Sequence, residues 1–235
     1  MLAHHSLSSV LPGGAVPRQA DRLPYPLLAV MRHGPLHLHQ ADGLVVLHGH
    51  HAVLRLGLYA TADRALAGES VLYLDGANAF DPFTLSRLAR ASGVSPRTVL
   101  EAIRVSRAFT CHQMARLVTE RLTPAYQASQ TRTIIVSGPL EAFYDETVPF
   151  SEAARLAREM AAALHRLARR GRRLLCLCPP LPRLRRSRTS LFDVLQAEAD
   201  RVIRVEETGD GFTLCDEGRC SPKRWSIPRA AWDSL

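Results

Sequence analysis

From Gly43 onward, short apolar runs alternate with segments of helical periodicity, and this alternation constrains the fold more than any other feature of the chain. Leu44–Leu47 reads as a buried strand, followed by a helical stretch from Val53 to Ala67 and a second strand at Val71–Leu74. Two helical segments come next. The second opens at Ser95-Pro96, a capping residue followed by a proline at the first helical position, where a missing N–H costs nothing. Ile103–Ala108 reads as a strand, His112–Leu122 as a helix and the β-branched Thr133–Val136 as a strand. The clearest helix runs from Ser151 to Arg170: Ala153, Leu156, Ala157, Met160, Ala161, Leu164 and Leu167 recur at the 3.6-residue period, and Gly171 ends it. Leu174–Cys178 is another strand, closed by Pro179-Pro180, and the tail holds strands near Val202–Val205, Phe212–Cys215 and Trp225–Ile227.

Apolar strands separated by helices imply right-handed βαβ units, hence a mostly parallel sheet covered by helices on both faces, with antiparallel strands at the C-terminal end. A chain of 235 residues fits one such domain. Residues 1–25, rich in Ser, Gly and Pro, are expected to be a flexible N-terminal arm, and 26–235 a single α/β domain. A hydrophobic content of 46% supports a sizeable core. No apolar run reaches the roughly 18 residues a membrane span needs. The N-terminus lacks a basic region followed by an apolar stretch, so a signal peptide is not expected and the cytoplasm is the expected location. Five cysteines, an odd number without a dense framework, are expected to be thiols.

The formal charge is +8. Much of the excess lies between Arg166 and Arg188, where Arg169, Arg170, Arg172, Arg173, Arg183, Arg185 and Arg186 also fall. Guanidinium groups so concentrated suit a polyanionic partner, through paired hydrogen bonds to phosphate. Solvated helix faces would account for the same composition.

The stretch from Val71 to Leu122 contains Tyr73-Leu74-Asp75, Phe80-Asp81-Pro82, Val99-Leu100 with Ile103-Arg104-Val105 and Arg107-Ala108-Phe109, and His112-Gln113. It resembles the RecA/RadA recombinase superfamily. Cores of that superfamily carry a strand ending in Tyr-Ile-Asp-Thr-Glu, a Phe-x-Pro-x-x-Leu helix start, a Val-Leu-x-x-Ile-x-Val-x-Arg-Ala-Phe segment and a His-Gln pair. The resemblance implies a RecA-like twisted sheet and a role in DNA repair or recombination.

The departures from that pattern are informative. A phosphate loop needs G-x-x-x-x-G-K-[ST], so that backbone N–H groups wrap the phosphates, Lys neutralises them and the hydroxyl holds Mg²⁺. Here the corresponding turn is Gly49-His50-His51-Ala52-Val53-Leu54-Arg55-Leu56. Leu54 replaces the second glycine, Arg55 stands where Lys would be, and Leu56 cannot ligate a metal. Ala77 occupies the place of the family's catalytic Glu, and Ser137 that of the acidic residue supporting Mg²⁺. No shift of alignment restores the motif, because Lys223 is the only lysine. The resemblance therefore implies a degenerate nucleotide site around Gly49, His50, His51, Arg55, Asp75, Asn78 and Ser137, without hydrolysis, catalytic residues or a required cofactor. Asp75 could bind a ligand or cap the following turn. Arg55 could hold a phosphate at the helix N-terminus or be an exposed helical arginine.

In the recombinases, the loops after the fourth and fifth strands grip single-stranded DNA. The first here carries Glu141, Asp145 and Glu146, which repel phosphate; the second carries Arg183, Arg185, Arg186 and Arg188, with Arg172 and Arg173 nearer the sheet. No aromatic residue interleaves with these arginines, so backbone contact without sequence preference is expected. His37-x-His39 and His48-x-His50 each place two imidazoles on one face of a possible strand, with His33 and His51 near, but no carboxylate stands at standard spacing. Cys176-x-Cys178 and the Cys215, Cys220 pair do not match a zinc knuckle, and no metal is expected. The expected function is that of a RecA-like accessory protein that binds DNA through the Arg183–Arg188 segment or pairs with a competent recombinase, and a recombinase or a second copy of itself could be a partner. A non-catalytic protein-interaction scaffold and a divergent nucleotide-binding enzyme are the alternatives.

Overall fold

The computed structural model of the chain describes residues 43–129, 131–180, 186–217 and 223–233. The expected arm, His33, His37, His39, Arg183, Arg185 and Cys220 lie outside the described residues. Among the described residues, eight strands form one sheet in the order β3-β2-β4-β5-β1-β6-β7-β8. They are β1 Gly43–His48, β2 Val71–Asp75, β3 Ile103–Arg107, β4 Thr133–Ser137, β5 Arg173–Cys178, β6 Arg201–Thr208, β7 Gly211–Asp216 and β8 Arg224–Pro228. The first six are parallel to one another, and β7 and β8 extend the sheet antiparallel. The fold is α/β, as the alternation predicts, and RecA-like, as the resemblance implies.

The handedness of βαβ connections decides which face each helix covers. From β1 to β2, and from β2 to β3, the chain moves toward the β3 edge, so α1 (Ala52–Leu66), α2 (Pro82–Ala91) and α3 (Pro96–Glu101) cover one face. The connections β3 to β4, β4 to β5 and β5 to β6 move the other way, so their helices cover the opposite face. Those helices are α4 (Cys111–Arg116), α5 (Leu122–Ser129), α6 (Phe150–Ala168) and α7 (Arg186–Ala197). The strand period of two then sorts the core. Val45, Leu47, Tyr73, Ile135, Leu175 and Leu177 join the first layer, and Leu44, Val46, Leu72, Leu74, Ile134, Val136, Leu174 and Cys176 the second. The stripe read on α6 is buried throughout, with Met160, Ala161 and Leu164 at 1% exposure or less.

Three elements differ from the sequence reading. The helix expected to stop at Leu122 continues to Ser129 through a π-helical turn at Leu117–Arg121. Pro124 has no N–H for the carbonyl four residues back and its ring crowds that carbonyl, so a widened turn carries the helix past it. Helix α7 occupies part of the segment read as a loop, because its buried leucines, Leu191 and Leu195, are a single i, i+4 pair that gives little periodic signal. The short α8 (Arg229–Asp233) packs Trp232 on Phe212 of β7, ring centroids 4.4 Å apart.

Candidate functional site

In a parallel sheet, ligands collect where strand ends meet on either side of a reversal in strand order, here the C-terminal ends of β1, β4 and β5. The turn after β1 decides what that crevice can hold. Strand β1 ends at His48 and α1 already begins at Ala52. Residues that would form the wall of a phosphate loop are thus helical. The N–H groups that would point at a phosphate are taken: Ala52 N donates to His50 Nδ1 (3.1 Å), Val53 N to His50 O and Leu54 N to His51 O. Gly49 adopts φ +107°, and a Cβ there would lie 2.7 Å from Val205 O, so the turn is pressed onto β6. The His50 ring rests on Phe212 (5.2 Å), and with Nδ1 accepting, its Nε2 faces Glu207 at 3.4 Å.

Arg55 fills neither role open to it in the sequence. Its guanidinium lies 4.5 Å over the Trp232 ring and donates to Trp232 O at 2.8 Å, tying α1 to α8. Asp75 is buried and closes the turn after β2, accepting from Ala79 N (2.9 Å) and Phe80 N (3.1 Å), with Arg107 Nε 3.5 Å away. Asn78 supplies the left-handed residue of that turn (φ 51°), a conformation asparagine tolerates. Ala77 N and Gly76 N both donate to Ser137 O, and a Cβ on Gly138 would meet Ala77 Cβ at 2.7 Å. The ends of β2 and β4 are therefore closed against each other where the family would place its catalytic Glu and metal-supporting acid. Ser137 Oγ and the Tyr73 hydroxyl are buried without a well-formed hydrogen bond among the described residues, and burial holds Tyr73 protonated above the ordinary tyrosine range.

Of the arginines expected to meet DNA, the three whose side chains are described, Arg172, Arg173 and Arg188, are engaged elsewhere in the fold. Arg188 is buried at 5% exposure inside α7, donating to Phe143 O at 2.7 Å and to Val148 O, so it fastens α7 to the segment after β4 and does not face solvent. Arg172 and Arg173 sit at the start of β5, about 17 Å of strand away from its C-terminal end. Arg172 stacks 4.6 Å over Tyr126 and donates to Thr131 O; Arg173 pairs with Glu69 at 3.3 Å. Arg186 lies in the first turn of α7. The imidazoles of the His48-x-His50 pair diverge, because β1 ends between them: His48 Nε2 meets Glu217 at 2.9 Å. Cys111, Cys176, Cys178 and Cys215 are buried thiols, and burial pushes Cys176 up to about 12.

Sequence reasoning missed a crevice of about 250 Å³ lined by His48, Gly49, Cys178, Pro179, Pro180 and Phe192. It also gave Glu141 only a repulsive role. That carboxyl is half-buried, raised above the ordinary range by burial, and opposed by the field of His51. The residues lie about ninety positions apart, so only the adjacency of the β1 and β4 ends, implied by the strand order, could have suggested the pair.

No curated protein matches the chain. A family model, that of Rad51, matches residues 56–173, half of the sequence, beginning within α1 and ending where β5 starts. The match covers the strands and helices from α1 to α6, whose order and register are those described above. The chain belongs to the Rad51 family, within the RecA/RadA superfamily.

Proposed function

We propose that this member of the recombination and repair family is a non-hydrolysing accessory protein that binds DNA without sequence preference. The observation that carries this reading is the turn after β1, where α1 starts at Ala52 and its first N–H groups are consumed within the turn. A phosphate chain has no cradle there, and Arg55 and Asp75, the residues a divergent nucleotide enzyme would use, are committed to Trp232 and to the turn after β2. The DNA contact falls to the segment after β5 with Arg183, Arg185 and Arg186, while Arg188 belongs to the fold. No helix among the described residues is long and apolar enough to cross a membrane.

A second reading, pairing with a recombinase of the same family, is favoured by strand β3. It is an edge strand exposed from Arg104 to Arg107, flanked by the exposed Phe109 and by a small groove lined by Leu72, Leu74, Leu117 and Leu122. An added strand bearing one apolar side chain would satisfy both this edge, unpaired among the described residues, and the groove. The two roles are compatible.

Fluorescence anisotropy of labelled single-stranded DNA across a salt series, with and without Mg·ATP, tests the first reading. Expected are binding that weakens steeply with salt, no response to Mg·ATP, no phosphate release, and loss of binding in Arg183→Ala/Arg185→Ala/Arg186→Ala. ATP turnover, or an absence of binding at low salt, would overturn it.

A further inference from the structure

The helical layer made by α4, α5 and α6 has a charge pattern that the site at the strand ends does not use. From Cys111 to Ser129 and from Phe150 to Arg172, the acidic residues are Glu120, Glu152 and Glu159. Each is already paired: Glu120 with Arg116 (2.8 Å), Glu159 with Arg155 (2.7 Å) and Glu152 with His112 (2.8 Å). Arg166 in the last turn of α6 and Arg170 just beyond its end have no carboxylate partner among the described residues. With Ala163 and Leu167 of α6 they line one wall of a pocket of about 210 Å³, whose other wall is Val118 and Thr119 of the π-helical turn and Thr123 at the start of α5.

Two arginines line one wall of this pocket and two threonines the other. Thr119 Oγ1 donates to Ala115 O, a bond a rotated hydroxyl can exchange, and Thr123 has no side-chain partner among the described residues. The π-turn has a part in this: it shifts Thr123 in register relative to Thr119 just before Pro124, at the point where α5 faces α6. Forked donors carrying full charge, with hydroxyl donors opposite and no carboxylate to compete, match the tetrahedral array of acceptors on a phosphate group.

We propose that the pocket between the π-helical turn and the last turn of α6 is a phosphate-binding site, with Arg166 and Arg170 supplying charge and Thr119 and Thr123 supplying hydroxyl donors. It lies at the end of α6 that leads into β5, so it is separated from the segment after β5 by the length of that strand and does not depend on the DNA contact proposed there. The phosphate belongs either to a DNA backbone or to a small phosphorylated molecule, and both present the same oxygens to the pocket.

The test is calorimetric titration of the full chain with inorganic pyrophosphate, alongside anisotropy of a labelled single-stranded oligonucleotide over a salt series. The variants are Arg166→Ala/Arg170→Ala, Thr123→Val, and Arg97→Ala, an exposed arginine on the other face, as a charge control. Circular dichroism checks that each is folded. The site predicts loss of pyrophosphate binding in the double arginine variant, a several-fold weakening in Thr123→Val and no change in Arg97→Ala. If DNA is the source, the double variant also lowers the slope of log affinity against log salt by about 1.4, two contacts at about 0.7 each. An unchanged slope with pyrophosphate binding lost assigns the pocket to a small phosphorylated ligand. Pyrophosphate and DNA binding both indifferent to Arg166, Arg170 and Thr123 would overturn the proposal. Because pyrophosphate is titrated by itself, a protein that binds no DNA at all can still pass this test.

Discussion

At the scale of single residues, arginines of the same type meet different fates according to what lies within reach of the guanidinium. Arg97 pairs with Glu101 in solvent, Arg55 stacks on an indole and Arg188 is enclosed between two carbonyls. The planar fork of Arg188 reaches Phe143 O and Val148 O together, which one ammonium cannot do with the same geometry. Arg188→Ala is expected to lower stability by about 2–4 kcal/mol, because a buried and a part-buried carbonyl lose a charged donor. Arg188→Lys should recover little of it. Urea denaturation measures both, and a loss of DNA affinity without a loss of stability would contradict the assignment. Asp75 was legible as a capping residue, since a carboxylate after a strand can meet the N–H groups that follow in sequence. Arg188 was not, because its acceptors lie 45 and 40 residues away.

At the scale of elements, the helices follow local chemistry where that chemistry is within the element. Helix α2 begins where Asp81 accepts from Phe83 N (2.8 Å) and Thr84 Oγ1 (2.6 Å), with Pro82 at its first position. The Thr84 hydroxyl, aided by backbone N–H groups and Arg87, holds the Asp81 carboxyl below the usual aspartate range despite some opposing burial. A carboxyl whose folded pKa is depressed stabilises the native state above its unfolded pKa, about 3.9, and that contribution is lost as pH falls through the folded value. Stability of Asp81→Asn should therefore fall less than wild type as the solution is acidified below about pH 4, and the two curves should run parallel above about pH 5. Thermal melts across that range read the difference. By contrast, Ser95 before α3 was expected as a cap, yet its side chain makes no capping hydrogen bond, and proline at the next position is what remains of the signal.

At the scale of the whole molecule, the N-terminal ends of the strands are joined by a charge network. Arg64, fully buried at the end of α1, pairs with Asp63 and with Glu69, and Glu69 also meets Arg173 of β5 and the Thr133 hydroxyl of β4. Glu69 so links α1, β4 and β5. Glu69→Gln is expected to cost about 1–3 kcal/mol, since it weakens charge compensation for the buried Arg64. Glu101→Gln, which breaks an exposed pair, should stay within about 0.5 kcal/mol. Chemical denaturation compares the two, and equal effects would show that the network does not hold the sheet together.

The sequence by itself determined which segments are strands and which are helices in the core, because periods of two and 3.6 are written in neighbouring residues such as Thr133–Val136 and Ala153–Leu167. It also determined that Gly49–Leu56 lacks the residues of a phosphate loop, since that motif is contiguous. Only the tertiary structure decided that the turn closes on its own N–H groups, that Glu141 lies within the electrostatic field of His51, and that Arg188 points inward. It alone set Arg166 and Arg170 across from Thr119 and Thr123. Backbone conformation is governed mainly by near neighbours, whereas the partner of a charged or polar side chain is set by which strands and helices the sheet order brings together.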